Sequence, residues 1–161
     1  MKIALLIEGQ TEKVFVRHLG RFLEPRLSGR MPRLHPILYH GPTPKNDNLR
    51  RDVNRLIESG PVYADAVIAL TDVYTGRADF KDASDTKRKM REWVGKNDKF
   101  FPHAAQHDFE AWLLPFWEDI QKLAGHKMSP PAGAPESVNH NKPPSYRIKE
   151  SSRPATRGVI T

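Results

Sequence analysis

The sequence predicts an α/β fold, a mostly parallel central sheet of about four strands with helices on both faces. Three observations predict it. Short apolar runs alternate with longer segments whose apolar residues recur at helical spacing, the pattern of strand–helix–strand units. Three apolar stretches end on carboxylates: IALLI runs into Glu8, AVIALT into Asp72, and FFPHAAQH into Asp108 and Glu110. At 161 residues the chain suffices for one real core and not for two ordinary domains.

In chain order, Lys2 to Ile7 is short, apolar and followed by Gly9, as a buried strand would be. Thr11 and Glu12 then open a helix on which Val14, Phe15, His18, Leu19, Phe22 and Leu23 follow helical spacing, closed by Pro25. Leu34 to Tyr39 reads as a second strand, and Pro36 within it points to a sheet edge. After the turn-rich loop GPTPKNDN, Asn48 or Asp47 is placed to cap a helix with Leu49, Val53, Leu56 and Ile57 on its inner face. Ala66 to Thr71 is continuously apolar and reads as a central strand covered on both faces. The irregular stretch VYTGRADFKDAS is long enough for a functional loop.

Ser84 or Asp85 starts a basic helix through Lys99 that buries Met90, Trp93 and Val94. Phe101 to Gln106 is the fourth strand. Asp108 stands at an N-cap position, and Phe109, Trp112, Leu113, Phe116, Ile120 and Leu123 form an apolar stripe on the helix that follows. The domain thus spans residues 1–125. Residues 126–161 are rich in proline, serine, asparagine and basic side chains, and read as an arm wrapped on the domain or a segment disordered until a partner binds.

Composition limits the chemistry. With no cysteine there are no disulfides, thiolate zinc sites or cysteine nucleophiles. No run approaches the ~18 to 20 apolar residues of a membrane span, and the N-terminus lacks a secretory signal, so the expected location is the cytoplasm. A net charge of +7 and a pI near 9.8 make nucleic acid the first partner to consider. The densest basic stretch includes Lys87, Arg88 and Arg91.

Carboxylates at the carboxyl ends of parallel strands gather where open α/β sheets bind ligands. Hard oxygen donors without cysteine suit Mg²⁺ or Mn²⁺, and so phosphoryl chemistry. Asp72, directly after a buried strand, is costly to desolvate unless paired or bound to a cation. Glu8 leads the first helix, where a negative charge also suits the macrodipole, and Glu12 reads as a first-turn acid of that structural kind. His107 is a ligand, a proton carrier or scaffolding. Tyr74 and Asp79 lie on the loop after Asp72, where they reach the same edge or pin the loop.

The strings LIEGQTEKVF, LTDVYTGRADF and HAAQHDFEAWLLPF, in this order, resemble the Toprim-like family of domain of unknown function 4276. The resemblance implies the α/β module shared by topoisomerases, primases and overcoming-lysogenization-defect nucleases. In that module a glutamate after the first strand acts as acid/base or metal ligand, and an Asp-x-Asp pair after the third binds Mg²⁺. Glu8 matches the glutamate and Asp72 the first aspartate. Tyr74 replaces the second, and a neutral phenol is no substitute for a charged metal ligand. A third acid is then needed, Glu110 or Asp79. The resemblance further implies a nuclease of an ATPase-associated phage-defence system, with an ATPase partner. The competing reading is a catalytically silent module that binds nucleic acid or an ATPase as a regulatory subunit, favoured by the lost aspartate. A receiver-like phosphoacceptor fails, because Glu8-Gly9 supplies one acid where such proteins have two. Homo-oligomerisation stays open, with Trp112, Phe116 and Trp117 as the suspect face.

Overall fold

A computed structural model describes residues 1–59, 63–73, 79–125, 127–133 and 144–151. The chain divides into two compact units, Met1–Gln106 and His107–Thr161. In the first, strands β1 (Lys2–Ile7), β2 (Arg33–Leu38), β3 (Ala66–Asp72) and β4 (Phe100–Ala105) form one sheet in the order β2-β1-β3-β4, every neighbouring pair parallel. Parallel neighbours require crossovers, and helices supply them: α1 (Gln10–Leu23), α2 (Asn46–Asn54) and α3 (Ala83–Val94). The α/β expectation holds.

Strand alternation sorts the core into two layers. Ala4 and Leu6 of β1, with Val67 and Ala69 of β3, pack against Leu49 and Val53 of α2 and Met90 and Val94 of α3. Leu5 and Ile7 face the other way, against Val16 of α1. Both sides of β1 are therefore covered, which is why its sequence reads as an unbroken apolar run. β3 is central as expected, yet its two faces differ. Val67, Ala69 and Thr71 are buried, whereas Ala66, Ile68 and Leu70 are only half-buried.

Several helices depart from the sequence reading. On α1 the buried positions are Glu12 and Val16, while Val14 and Phe22 are exposed, so the face turned inward is not the one apolarity alone selects. α1 ends before Pro25, passing into a 3₁₀ turn at Glu24–Leu27. The N-cap of α2 is Lys45, without a side-chain bond, and Leu56 and Ile57 belong to a widened π-type turn at Arg55–Ser59. α3 is capped by Asp82, which accepts from the Asp85 N–H at 2.8 Å, and it stops at Val94 rather than Lys99 because Gly95 turns left-handed at φ 84°.

In the second unit Phe109–Phe116 is a 3₁₀ helix, followed by α4 (Trp117–Ala124). A three-residue period replaces the α-helical one. Asp108, Ala111, Leu114 and Trp117 are buried, and Phe109 is buried as expected, whereas Trp112, Leu113, Phe116 and Leu123 of the expected stripe are exposed. Trp117 packs with Leu114 and donates its indole N–H to the Met128 carbonyl at 2.9 Å, so it does not belong to an open face. Within residues 126–161 a helix forms, α5 (Pro144–Ser151), whose Ile148 packs against Leu114 and Trp117. Among the described residues no helix is long and apolar enough to cross a membrane.

Two substitutions check this assignment of faces by denaturant unfolding. Met90→Ala, at a site 1% exposed, should cost about 2–5 kcal/mol. Val14→Ala, at a site 52% exposed, should stay within roughly 0.5 kcal/mol of wild type.

Candidate functional site

The strand order places a topological switch between β1 and β3: the chain leaves β1 toward β2 on one side and adds β3 on the other. Ligands of open α/β sheets bind outside the carboxyl ends of the strands at such a point. Glu8 follows β1 and Thr71 and Asp72 end β3, so the switch is flanked by polar groups.

Glu8 is tied to two other segments. Its Oε1 accepts a hydrogen bond from the Thr71 hydroxyl and one from the Thr43 N–H at 2.9 Å. Its carbonyl accepts from the Gly41 N–H at 3.1 Å. The loop after β2 reaches Glu8 through a non-glycine residue in left-handed conformation, His40 at φ 56°, and a second, Asn46 at φ 51°, opens α2. Each costs on the order of 1 kcal/mol, offset by the bonds the loop makes. Thr43 is buried, and its hydroxyl makes no hydrogen bond. At the end of β2, burial, and then the Asp52 carboxylate to which it donates at 3.0 Å, push the Tyr39 phenol well above its usual range.

Glu12 joins this edge. It is 5% exposed and folds back so that its carboxylate meets the N–H groups of Glu12 and Gly9, the reach-back half of a capping box. Burial raises its pKa, and the neighbouring Glu8 carboxylate raises it further. A Cβ at Gly9 would sit 2.9 Å from Glu12 Oε2 and displace the folded-back carboxylate. Glu12 is thus more readily protonated than an ordinary glutamate.

The remaining predicted residues are distributed as follows. Asp72 is in the strand phase of Ile68 and Leu70, opposite to Thr71, so the residue of β3 that meets Glu8 is Thr71. Asp79 forms an ion pair with Lys45, and its carbonyl accepts from Lys89 at 2.8 Å. The two ammonium groups lie 5.8 and 5.7 Å from the Phe80 ring centroid. On α3, Arg88 bonds both Asp85 and Glu92, while Lys87 is half-buried and Arg91 exposed. The Lys81 N–H, then Lys89 and Arg88, hold the Asp85 carboxyl down at about 2.

His107, Asp108 and Glu110 belong to the second unit. His107 sits in a turn at φ 75°, and Glu110 is in the first turn of the 3₁₀ helix. Asp108 makes no cap bond to its own helix; its Oδ2 accepts from the Ser145 N–H of α5 at 3.0 Å. Tyr74 lies outside the described residues. Among the described residues no group of three or more His, Asp or Glu is gathered closely enough to hold a metal ion.

A profile of the family described as Domain of unknown function (DUF4276) matches residues 7–159. The chain belongs to this family. No curated protein and no solved structure matches it. The matched span of the family takes in all the residues named above, and its description assigns them no activity.

Sequence reading did not anticipate the contributions of Thr43 and Thr71, and it took Glu12 for a helix-dipole acid alone. Glu8 and Glu12, four residues apart across a helix start, were the available signal. A pH series tests the burial of Glu12. Because its folded pKa is raised, the folded chain holds a proton that the unfolded chain has released. The contribution of this group to stability is full below its unfolded value, near 4.5, and is lost as pH rises through the folded pKa. Glu12→Gln should therefore gain stability relative to wild type as pH rises above about 4.5, measured by urea unfolding at each pH.

Proposed function

We propose that this chain is a Toprim-like, Mg²⁺-dependent nuclease hydrolysing phosphodiester bonds. The observation that carries the reading is the position of Glu8 and Asp72 at the carboxyl ends of β1 and β3, either side of the switch point. The family resemblance assigns those two acids the same roles. Mg²⁺ is commonly held by one or two carboxylates together with waters and substrate phosphates, and Glu8 and Asp72 are each of the right donor type. Bound there, the ion would supply charge neutralisation at the phosphate and a more acidic water. Glu8 is oriented by Thr71 and Thr43, leaving Oε2 outside those two bonds as the atom to take a proton from the attacking water. Glu12, whose carboxyl pKa is raised by burial and then by the charge of Glu8, adds a second acid to this edge. Asp79 remains a candidate further ligand, on release from Lys45. A cytoplasmic location and an ATPase partner in phage defence complete the proposal.

A second reading is favoured by one feature of the geometry. Glu8 Oε1 accepts from two donors on two different segments, as a structural tie would, which suits a catalytically silent module. Plasmid nicking in Mg²⁺ or Mn²⁺ separates the two, using wild type, Glu8→Gln and Asp72→Asn. The nuclease reading expects cleavage by wild type and a loss of roughly 100-fold or more in each variant, with calorimetric metal binding weakened in Asp72→Asn. A folded wild type that neither binds metal nor nicks, alongside a Glu8→Gln variant that is mainly destabilised, would replace it with the silent module.

A further inference from the structure

The basic residues of α3 are partly consumed within the fold. Arg88 is shared between Asp85 and Glu92, and Lys89 lies 3.0 Å from Asp85. α1 is different. Lys13, Arg17 and Arg21 recur every four residues, all are exposed, and none forms an ion pair with a described carboxylate. Helix geometry sets successive members about 6 Å apart along the axis and about 40° apart around it. The result is a gently turning ridge of three uncompensated positive charges.

A cleft of about 410 Å³ lies between this helix and the outer strand β2. Lys13 and Arg17 line it together with apolar groups, among them Val16, Met31, Leu34 and Pro36. Glu24 is the one acid among the lining residues, on the last turn side of α1. Gly20 contributes no side chain to the wall, and a Cβ added there would reach only ordinary contact, 3.9 Å from Met31 Cε.

Cationic rim and apolar wall together discriminate between ligand classes. A simple anion would use only the charges, and an apolar metabolite would use only the cleft. A polymer with regularly spaced phosphates and flat, weakly polar bases uses both, provided the bases are free of a partner strand. In a duplex the bases stay stacked inside and the cleft has nothing to receive. α1 also begins just beyond Glu8, and the Lys13 N–H bonds the Gly9 carbonyl at 3.3 Å, so the ridge starts beside the acidic edge.

We infer that α1 and β2 form a groove for single-stranded nucleic acid, with phosphates on Lys13, Arg17 and Arg21 and a base in the cleft between α1 and β2. The destination of the strand, the Glu8 edge, rests on the proposed nuclease function; the binding does not. The full chain is titrated into fluorescein-labelled 20-mers of single-stranded DNA, single-stranded RNA and duplex DNA, with anisotropy followed over a range of salt. The two single strands share the recognised chemistry, and their relative affinities decide which is the natural ligand.

Wild type should bind a single strand more tightly than the duplex. K13Q/R17Q/R21Q should weaken that binding about tenfold or more and reduce the slope of log K against log salt by about 2, near 0.7 per lost phosphate contact. Gly20→Leu, which fills the cleft without touching charge, should erase the preference for single strands and keep the slope. The inference is overturned if wild type binds no oligonucleotide at low salt, if the triple variant keeps affinity and slope, if K87Q/R91Q on α3 causes the larger loss, or if poly-glutamate competes as well as oligonucleotide does, which would indicate an acidic protein ligand. A wild type that binds through α1 and fails to nick plasmid would leave this inference standing and overturn the nuclease reading. Nicking that depends on Asp72, in a protein whose triple variant binds normally, would do the reverse.

Discussion

A carboxylate that ends a buried strand must find donors, and the bonds Glu8 finds organise the carboxyl edge of this sheet. Through one oxygen it joins the Thr71 hydroxyl of β3 to the Thr43 N–H of the loop after β2. Three segments distant in sequence are held to one atom. The loop accepts a left-handed residue, His40, on the way to this contact, and Glu12 is drawn under the same edge, where burial and then the charge of Glu8 raise its pKa. Neutralising any one partner would leave the others with unsatisfied groups in a partly desolvated place.

The same sheet is unevenly clothed. On the α2/α3 side the core is continuous, from Leu49 and Val53 to Met90 and Phe100. On the α1 side the buried cluster is small, built on Leu5, Ile7 and Val16, and Phe101 of β4 is 46% exposed. Charge follows an opposite course. α3 carries acids spaced to pair with its basic residues at three and four positions, so much of its charge is compensated locally. α1 has Glu12 buried against its own N-terminus and so offers Lys13, Arg17 and Arg21 no partner on the exposed side. The face with the larger core and the face with unpaired basic residues are therefore distinct.

Much of the fold was legible because it depends on local pattern. All four strands sit within a residue or so of their expected places, since short apolar runs bounded by turn formers have few alternatives. What escaped was the assignment of faces on helices. Val14 and Phe22 are more apolar than Glu12, yet Glu12 is the buried residue, because backbone N–H groups at the helix start satisfy it. The stripe from Phe109 to Leu123 assumed a period of 3.6, whereas the chain adopts a 3₁₀ turn with Pro115 inside it; Phe109 stays buried as expected, and the rest of the buried set moves to Asp108, Ala111, Leu114 and Trp117. Asp108 did prove to be a capping residue, but for α5, a pairing across 37 positions that no local rule contains.

By itself the sequence determined the class of the fold, the parallel character of its central strands, and the presence of acids at their carboxyl ends. These follow from the alternation of apolar runs and from the residues directly after them. Only tertiary structure decided which polar groups meet at that edge. The strand order β2-β1-β3-β4 put Thr71 beside Glu8, the parity of the pleat turned Asp72 to the other face, and ion pairing engaged Arg88 and Lys89 of α3 while leaving the basic residues of α1 unpaired among the described residues. Each of these depends on contacts between residues far apart in the chain, set by register and packing rather than by neighbours in sequence.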